Sequence, residues 1–316
     1  MVKFQRVAFI FPGQGSQYPG MAKDFFENYS EVRHLFEEAD DILKRKISNI
    51  ILNGPEDLLT QTRNSQVGIF LTSFALLKVL KHSFNHLKPF ACAGLSLGEY
   101  TALTAAGVLP FQSALTLVEK RGQLMNDACE QTKGTMAVIM GLDGFQVEQM
   151  VQDANLPNDL WAANFNCPGQ VVISGTMKGI AEGEKRAKEL GAKRVLPLQV
   201  YGAFHSGLMQ SAEEKLREEL LKVQIEKSSI KVSMNVTGDF VEHQEEIRRA
   251  LSMQVTHPVR WEQNIRSLTK ENSDLFIEIG PGKTLSGLNK RNGVLAPTLN
   301  LEKMTDLDLL AKELNG

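Results

Sequence analysis

Between about Thr132 and Leu198 the chain carries a run of segments that few arrangements can satisfy. Thr135 to Leu142 reads as a strand, Gly144 to Asp153 as a helix and Leu160 to Phe165 as a second strand. Pro168-Gly169 marks a turn, after which Gln170 to Ser174 reads as a strand, Lys178 to Leu190 as a helix stopped by Gly191, and Lys193 to Leu198 as a strand. This is the order βαββαβ, that of a small ferredoxin-like unit. The expectation is a subdomain over residues 132–198 inserted into a larger domain made of residues 1–131 and 199–316.

The flanking sequence alternates strand and helix signals, which favours an α/β class. Val7 to Phe11 is an apolar run ending at Pro12-Gly13-Gln14-Gly15-Ser16-Gln17. Helical spacing predicts one helix over Phe25 to Leu43 and another over Gln66 to Lys81, the latter with Val67, Phe70, Leu71, Phe74, Leu77 and Leu80 near one face. Phe90 to Ala93 reads as a short strand, Leu97 to Ala106 as a helix ended by Gly107, Pro110 to Ala128 as a further helix, and Leu275 to Ile279 as a strand running into Gly280-Pro281-Gly282.

Charge and cysteine usage narrow the function classes. With 35 basic and 37 acidic residues the net charge is -2, without the basic surplus that phosphate backbones demand, so nucleic acid is not expected as a partner. Cys92, Cys129 and Cys167 are odd in number, widely spaced and free of any CxxC pair, which predicts reduced thiols rather than a disulfide frame or a zinc site. The apolar start, Val7 to Phe11, is too short for a signal-peptide core, and no stretch approaches membrane-spanning length. A cytoplasmic protein is expected, or one of an organelle stroma such as the plastid's if a transit peptide was removed.

Gly94-Leu95-Ser96-Leu97-Gly98 is the one GxSxG of the chain, and it falls between a strand signal and a helix signal. That context suits a nucleophile elbow, in which glycines permit a sharp turn and the helix start favours nearby negative charge; a helix-capping serine is the alternative. A serine nucleophile needs a base. Of the six histidines, His82 and His86 lie four apart with no third ligand and read as solvated helix residues, not a metal site. His205 sits instead in an uncharged loop, Tyr201-Gly202-Ala203-Phe204-His205-Ser206-Gly207, the kind of segment that often carries catalysis; a structural histidine is the alternative. Phe11 to Gln17 either aims backbone N–H groups at an oxyanion or is a plain strand-to-loop turn. Arg121, beside Gly122, is either a surface residue paired with a glutamate or a guanidinium turned inward.

Taken together, these segments resemble the acyltransferase family of malonyl-CoA:acyl carrier protein transacylases from end to end. Phe11 to Gln17 looks like that family's N-terminal signature and Gly94 to Tyr100 like its GHSxGEY motif. Lys120-Arg121-Gly122 is similar to its carboxylate-binding segment, and Asn164 to Gly175 to its small-subdomain signature. Ala203-Phe204-His205 resembles its histidine motif, Gln254 before His257-Pro258-Val259-Arg260-Trp261 its glutamine position, and Gly280 to Lys283 its C-terminal turn. The resemblance implies an α/β-hydrolase-like large domain with a parallel-sheet core carrying the ferredoxin-like insert. It implies Ser96 as nucleophile, His205 as general base and acid, the N–H groups of Gln14 and Leu97 as oxyanion hole, and Arg121 as the holder of the malonyl carboxylate. A main-chain carbonyl near Gln254 would orient the histidine, with no acidic third member, and Gln254, Phe204 and Asn166 would contact substrate. Phe204, with the apolar Leu97, resembles malonyl-selective members, since a bulky side chain there crowds an α-methyl group. Malonyl-CoA and holo acyl carrier protein are the implied partners, with no metal and no cofactor beyond the coenzyme A thioester itself, in a monomer. Carrier docking would draw on Lys185, Arg186, Lys188, Lys193, Arg194, Lys290 and Arg291. The chain departs from the pattern at Leu95, where the family usually has histidine.

Overall fold

The computed structural model describes residues 4–200 and 202–315; Met1 to Lys3, Tyr201 of the histidine loop and Gly316 lie outside the described residues. Ten strands are described: β1 (Val7–Phe11), β2 (Ala91–Gly94), β3 (Thr135–Met140), β4 (Leu160–Cys167), β5 (Gln170–Gly175), β6 (Arg194–Pro197), β7 (Lys231–Met234), β8 (Asp239–Phe240), β9 (Leu275–Ile279) and β10 (Thr298–Leu301). The α-helices are α1 (Lys23–Asn28), α2 (Ser30–Leu43), α3 (Ile47–Asn53), α4 (Glu56–Thr60), α5 (Thr62–Ser83), α6 (Gly98–Ala105), α7 (Phe111–Gln131), α8 (Gly144–Ala154), α9 (Met177–Glu189), α10 (Gln210–Leu221), α11 (Gln244–Met253), α12 (Trp261–Lys270), α13 (Thr284–Arg291) and α14 (Met304–Asn315). None of the described helices is long and apolar enough to cross a membrane.

The strands form two sheets. The larger has the order β10-β9-β1-β2-β7-β8, parallel except for the antiparallel β7–β8 edge. β1 is apolar and buried at every position, as a central parallel strand covered on both faces must be. Alternation assigns its side chains: Val7, Phe9 and Phe11 join the core that includes Val67, Phe70 and Leu71 of α5. Ala8 and Ile10 face Trp261 and Ile265 of α12 and Leu285 and Leu288 of α13.

The smaller sheet has the order β4-β5-β3-β6 and is antiparallel throughout. On β3, Ala137 and Ile139 pack with Val147 and Met150 of α8 and Ile180 and Ala187 of α9, while Met136 and Val138 point to the opposite face. That face looks onto the large sheet. The two are stitched at Val259, whose N–H bonds Ala163 O at 2.8 Å and whose O accepts from Phe165 N at 2.9 Å.

Two predicted elements differ. The single helix expected over Phe25 to Leu43 is two, α1 and α2, because Tyr29 takes extended backbone (φ -118°, ψ 118°) between them. Apolar spacing continues across such a break, so periodicity alone does not reveal it. The helix predicted from Gln66 begins four residues earlier, at Thr62, and is buried on nearly every side rather than along one face.

Candidate active site

The elbow forms because only glycine fits where the chain doubles back. β2 lies between β1 and β7 and delivers Ser96 at φ +53°, a left-handed conformation unusual for a residue with a side chain. A Cβ on Gly94 would lie 1.9 Å from Gly98 C, and one on Gly98 would lie 2.2 Å from Phe11 O. The strained serine is held in place: its N–H donates to Asn235 Oδ1 at 2.8 Å, and Asn235 Nδ2 donates to Gly94 O at 2.8 Å.

Ser96 Oγ lies 2.8 Å from His205 Nε2, and His205 Nδ1 lies 2.7 Å from Gln254 O. A carbonyl only accepts, so Nδ1 carries the proton and Nε2 is left free to accept from the serine hydroxyl. His205 is itself at φ +57°, with its N–H bonded to Val255 O at 3.0 Å. Burial, aided by the Arg121 guanidinium, pulls its imidazole down to about 4, against bonds with the Gln254 and His257 backbone that favour the charged form. The ring is therefore neutral at physiological pH, as a base must be.

Arg121 settles the alternative left open by spacing: it turns inward and is 1% exposed. Glu119, its possible surface partner, pairs instead with Arg45 at 2.6 Å. The Arg121 guanidinium donates to Gln66 Oε1 at 2.5 Å, Gln254 Oε1 at 2.9 Å and Ser96 Oγ at 3.1 Å. Gly122 lets α7 approach the start of α5, since a Cβ there would come within 3.0 Å of Arg63 Cα.

A cleft of about 350 Å³ opens between the sheets, lined by Ser96, His205, Gln14, Phe204 and Asn166 among others, and by the inward-facing Met136 and Val172 of the small sheet. Among the described residues neither the Gln14 N–H nor the Leu97 N–H bonds to a protein acceptor. Leu97 stands at the N-terminus of α6, where the helix dipole favours negative charge. Asn166 Oδ1 is buried without a hydrogen-bond partner. His82 and His86 are exposed and do not line this cleft; His82 is helical as expected, but His86 lies in a turn past the end of α5 at Ser83 rather than on the helix. Of the basic residues named from sequence, Arg186 and Lys188 are paired along α9 with Glu182 and Glu184. Arg291 contacts Gln170 at the cleft, and Lys185, Lys193, Arg194 and Lys290 are exposed.

Three participants escaped the sequence reading: Gln66, Glu99 and Asn235. Glu99 had a weak signal, the one charged residue of α6, but it stands in the first turn where an acidic residue is ordinary; it is fully buried. Asn235 had none, since it is one polar residue just past a short strand.

A serine so activated can hold an acyl group between a donor and an acceptor, and that is the class to which the chain belongs. It is a member of the acyl transferase family, whose domain model matches residues 8–294. The malonyl CoA-acyl carrier protein transacylase of Bacillus subtilis strain 168 is 45% identical over 287 residues, covering 90% of each chain. The crystal structure of malonyl CoA-acyl carrier protein transacylase from Clostridium perfringens matches with a TM-score of 0.93 and 35% identity, over 98% of each chain. A structure of a malonyl-transacylase in complex with its type II PKS acyl-carrier protein matches equally well, at TM-score 0.93 and 35% identity, over 98% of this chain and all of that one.

Proposed function

We propose that this enzyme transfers a malonyl group from malonyl-CoA to the phosphopantetheine thiol of an acyl carrier protein, supplying fatty acid biosynthesis. The observation that carries the reading is the double contact of Ser96 Oγ, with His205 Nε2 on one side and the buried Arg121 on the other. The first makes the hydroxyl a nucleophile; the second sets a planar cation where the free carboxylate of a bound malonyl group would lie. Relatives named malonyl CoA-acyl carrier protein transacylase, at 40–45% identity, support the same donor and acceptor.

The reaction follows from the geometry. Ser96 Oγ attacks the thioester carbonyl while His205 Nε2 takes its proton. The tetrahedral oxyanion is received by the N–H groups of Gln14 and Leu97, each such donor being worth roughly 3–4 kcal/mol in acyl transfer. The C–S bond breaks and His205 returns the proton to the departing coenzyme A sulfur. The malonyl-serine ester is then attacked by the carrier thiol, deprotonated by the same imidazole, and Ser96 is regenerated. Gln254 acts through its carbonyl on His205, Phe204 restricts the acyl pocket, and Asn166 offers its unpartnered Oδ1 to the pantetheine arm. No cofactor is needed, because the donor thioester is already activated.

We infer further that residues 1–131 and 199–316 form an α/β-hydrolase-like domain and 132–198 a ferredoxin-like subdomain. The elbow on a parallel sheet supports the first, and the order of β4-β5-β3-β6 supports the second. The enzyme works as a cytoplasmic monomer in this reading, and an acidic carrier docks against the exposed cations Lys193, Arg194 and Lys290. Incubation with malonyl-CoA followed by mass spectrometry tests the proposal. A malonyl adduct on Ser96 that holo carrier protein discharges is the expected result; an unmodified Ser96 would overturn it.

A further inference from the structure

Glu99 has no part in the mechanism above, yet its carboxyl holds two residues, Asn235 and Gln254, that contact Ser96. It lies on α6, three residues past the nucleophile, with no exposed surface. Its Oε1 accepts from Asn235 N at 2.5 Å and its Oε2 from Gln254 Nε2 at 2.5 Å. Asn235 in turn holds the Ser96 N–H, and Gln254 Nε2 donates also to Ser96 O at 2.9 Å. The other end of the same Gln254 amide, Oε1, accepts from Arg121. Glu99 and Arg121 are thus a buried carboxyl and a buried cation separated by a single side-chain amide, and every contact to the Glu99 carboxyl comes from a donor.

A buried guanidinium favours one carboxylate beside it, and a second carboxyl held in the same site must give up its charge. We propose that Glu99 is a specificity-determining positioning residue whose proton keeps the Arg121 guanidinium open to a substrate carboxylate: protonated, it leaves Arg121 as the one charge of the pair, and ionised, it competes with the incoming carboxylate through the shared Gln254 amide. Without that proton the loaded site would hold two anions against one cation. Gln254 is the link, since its amide orientation is fixed by donating to the carboxyl and accepting from the guanidinium.

The surroundings leave little else to titrate beside it. Of the elements packed on α6, α7 presents Arg121, and the segment after β7 presents the neutral Asn235. On α5, Lys81 reaches Ala105 O at the far end of α6. Tyr100 adjoins Glu99 on its own helix with its phenol pushed above the usual range, chiefly by burial, and Cys92 of β2 is pushed up to about 12 by the same cause. Glu99 itself is raised to about 8 by burial, against the bonds from Asn235 and Gln254 and the charge of Arg121, so its proton is exchangeable near neutrality.

This inference rests on the carboxylate role proposed for Arg121. The test is the ratio of kcat/KM for Ser96 acylation by malonyl-CoA to that by acetyl-CoA, followed against pH. Acetyl-CoA shares the coenzyme but brings no carboxylate, so effects common to both donors cancel. In the wild-type enzyme the ratio should be constant below about pH 7 and fall several-fold as pH rises beyond about 8, where Glu99 stays ionised and opposes the incoming anion. Glu99→Gln, which cannot ionise, should keep the ratio constant over the same range even if its packing defect lowers both rates. Glu99→Asp should restore the pH dependence. A wild-type ratio that is flat to about pH 9.5, or a fall that persists in Glu99→Gln, would overturn the inference, and the wild-type measurement decides even if the variants do not fold. Failure of malonyl-CoA to acylate wild-type Ser96 at all would instead overturn the proposed function.

Discussion

Replacing Arg121 with alanine separates a specificity role from a structural one. The guanidinium is almost fully buried and donates to Gln66, Gln254 and Ser96, so its removal affects any donor by leaving those acceptors short of a partner. The malonyl donor suffers an additional loss, because its carboxylate would enter a buried site with no cation. Breaking a buried ion pair by deleting one partner costs about 3–5 kcal/mol. At about 1.4 kcal/mol per factor of ten, the malonyl-to-acetyl ratio of kcat/KM should fall by roughly two to three and a half orders of magnitude. Arg121→Lys should recover part of the ratio, since an ammonium supplies the charge without the two-pronged fit. Rapid-quench acylation of Ser96 by each coenzyme A ester, read by intact-protein mass spectrometry, gives the numbers directly. Equal losses on both donors would refute the assignment and leave Arg121 as a brace for Gln254 and Ser96.

Three other expectations follow from the geometry. With acetyl-CoA as donor, acylation should hold steady as pH is lowered past 6.5 and be lost only near 4, where the His205 imidazole gains a proton and ceases to be a base; an acidic limb at 6.5 in a quench-flow pH series would contradict the buried neutral ring. Gly98→Ala places a methyl 2.2 Å from Phe11 O and should destabilise the fold by at least about 3 kcal/mol, seen as a lowered Tm; a variant as stable as wild type would show that the elbow can relax. Leu95→His should leave acyl transfer similar or faster, because Leu95 lines the cleft without contributing a hydrogen bond to the nucleophile; a collapse in steady-state transfer would reveal a packing role against α13.

Much of this was legible in the residues themselves. In the small sheet, alternation on β3 and β5 and a glycine stop after α9 left little freedom, and predicted bounds differ from those observed by no more than two residues. Ser96 and His205 were visible because each needs an unusual backbone, and small residues crowd around such positions. Arg121 could not be placed from sequence: about half a turn of helix separates an outward from an inward side chain, and only the packing of α7 on α5 selects the second. Glu99, Gln66 and Asn235 were less accessible still. Their importance lies in bonds spanning 52 to 155 residues of chain, and a hydrogen bond leaves no periodic trace. The break at Tyr29 was hidden for the converse reason, since both flanking helices bury the same apolar face.

The group that anchors the His205 ring is a peptide oxygen, and peptide oxygens are present whatever residue follows the end of α11. No codon change at position 254 can delete that acceptor, although changes there can disturb the amide that meets Arg121. The two duties of this position are thus inherited separately. In the proposed mechanism, orientation of the base is a property of how the chain is threaded, while acyl preference is open to revision one side chain at a time. A lineage exploring new acyl donors could therefore alter what the enzyme accepts without first dismantling how it attacks.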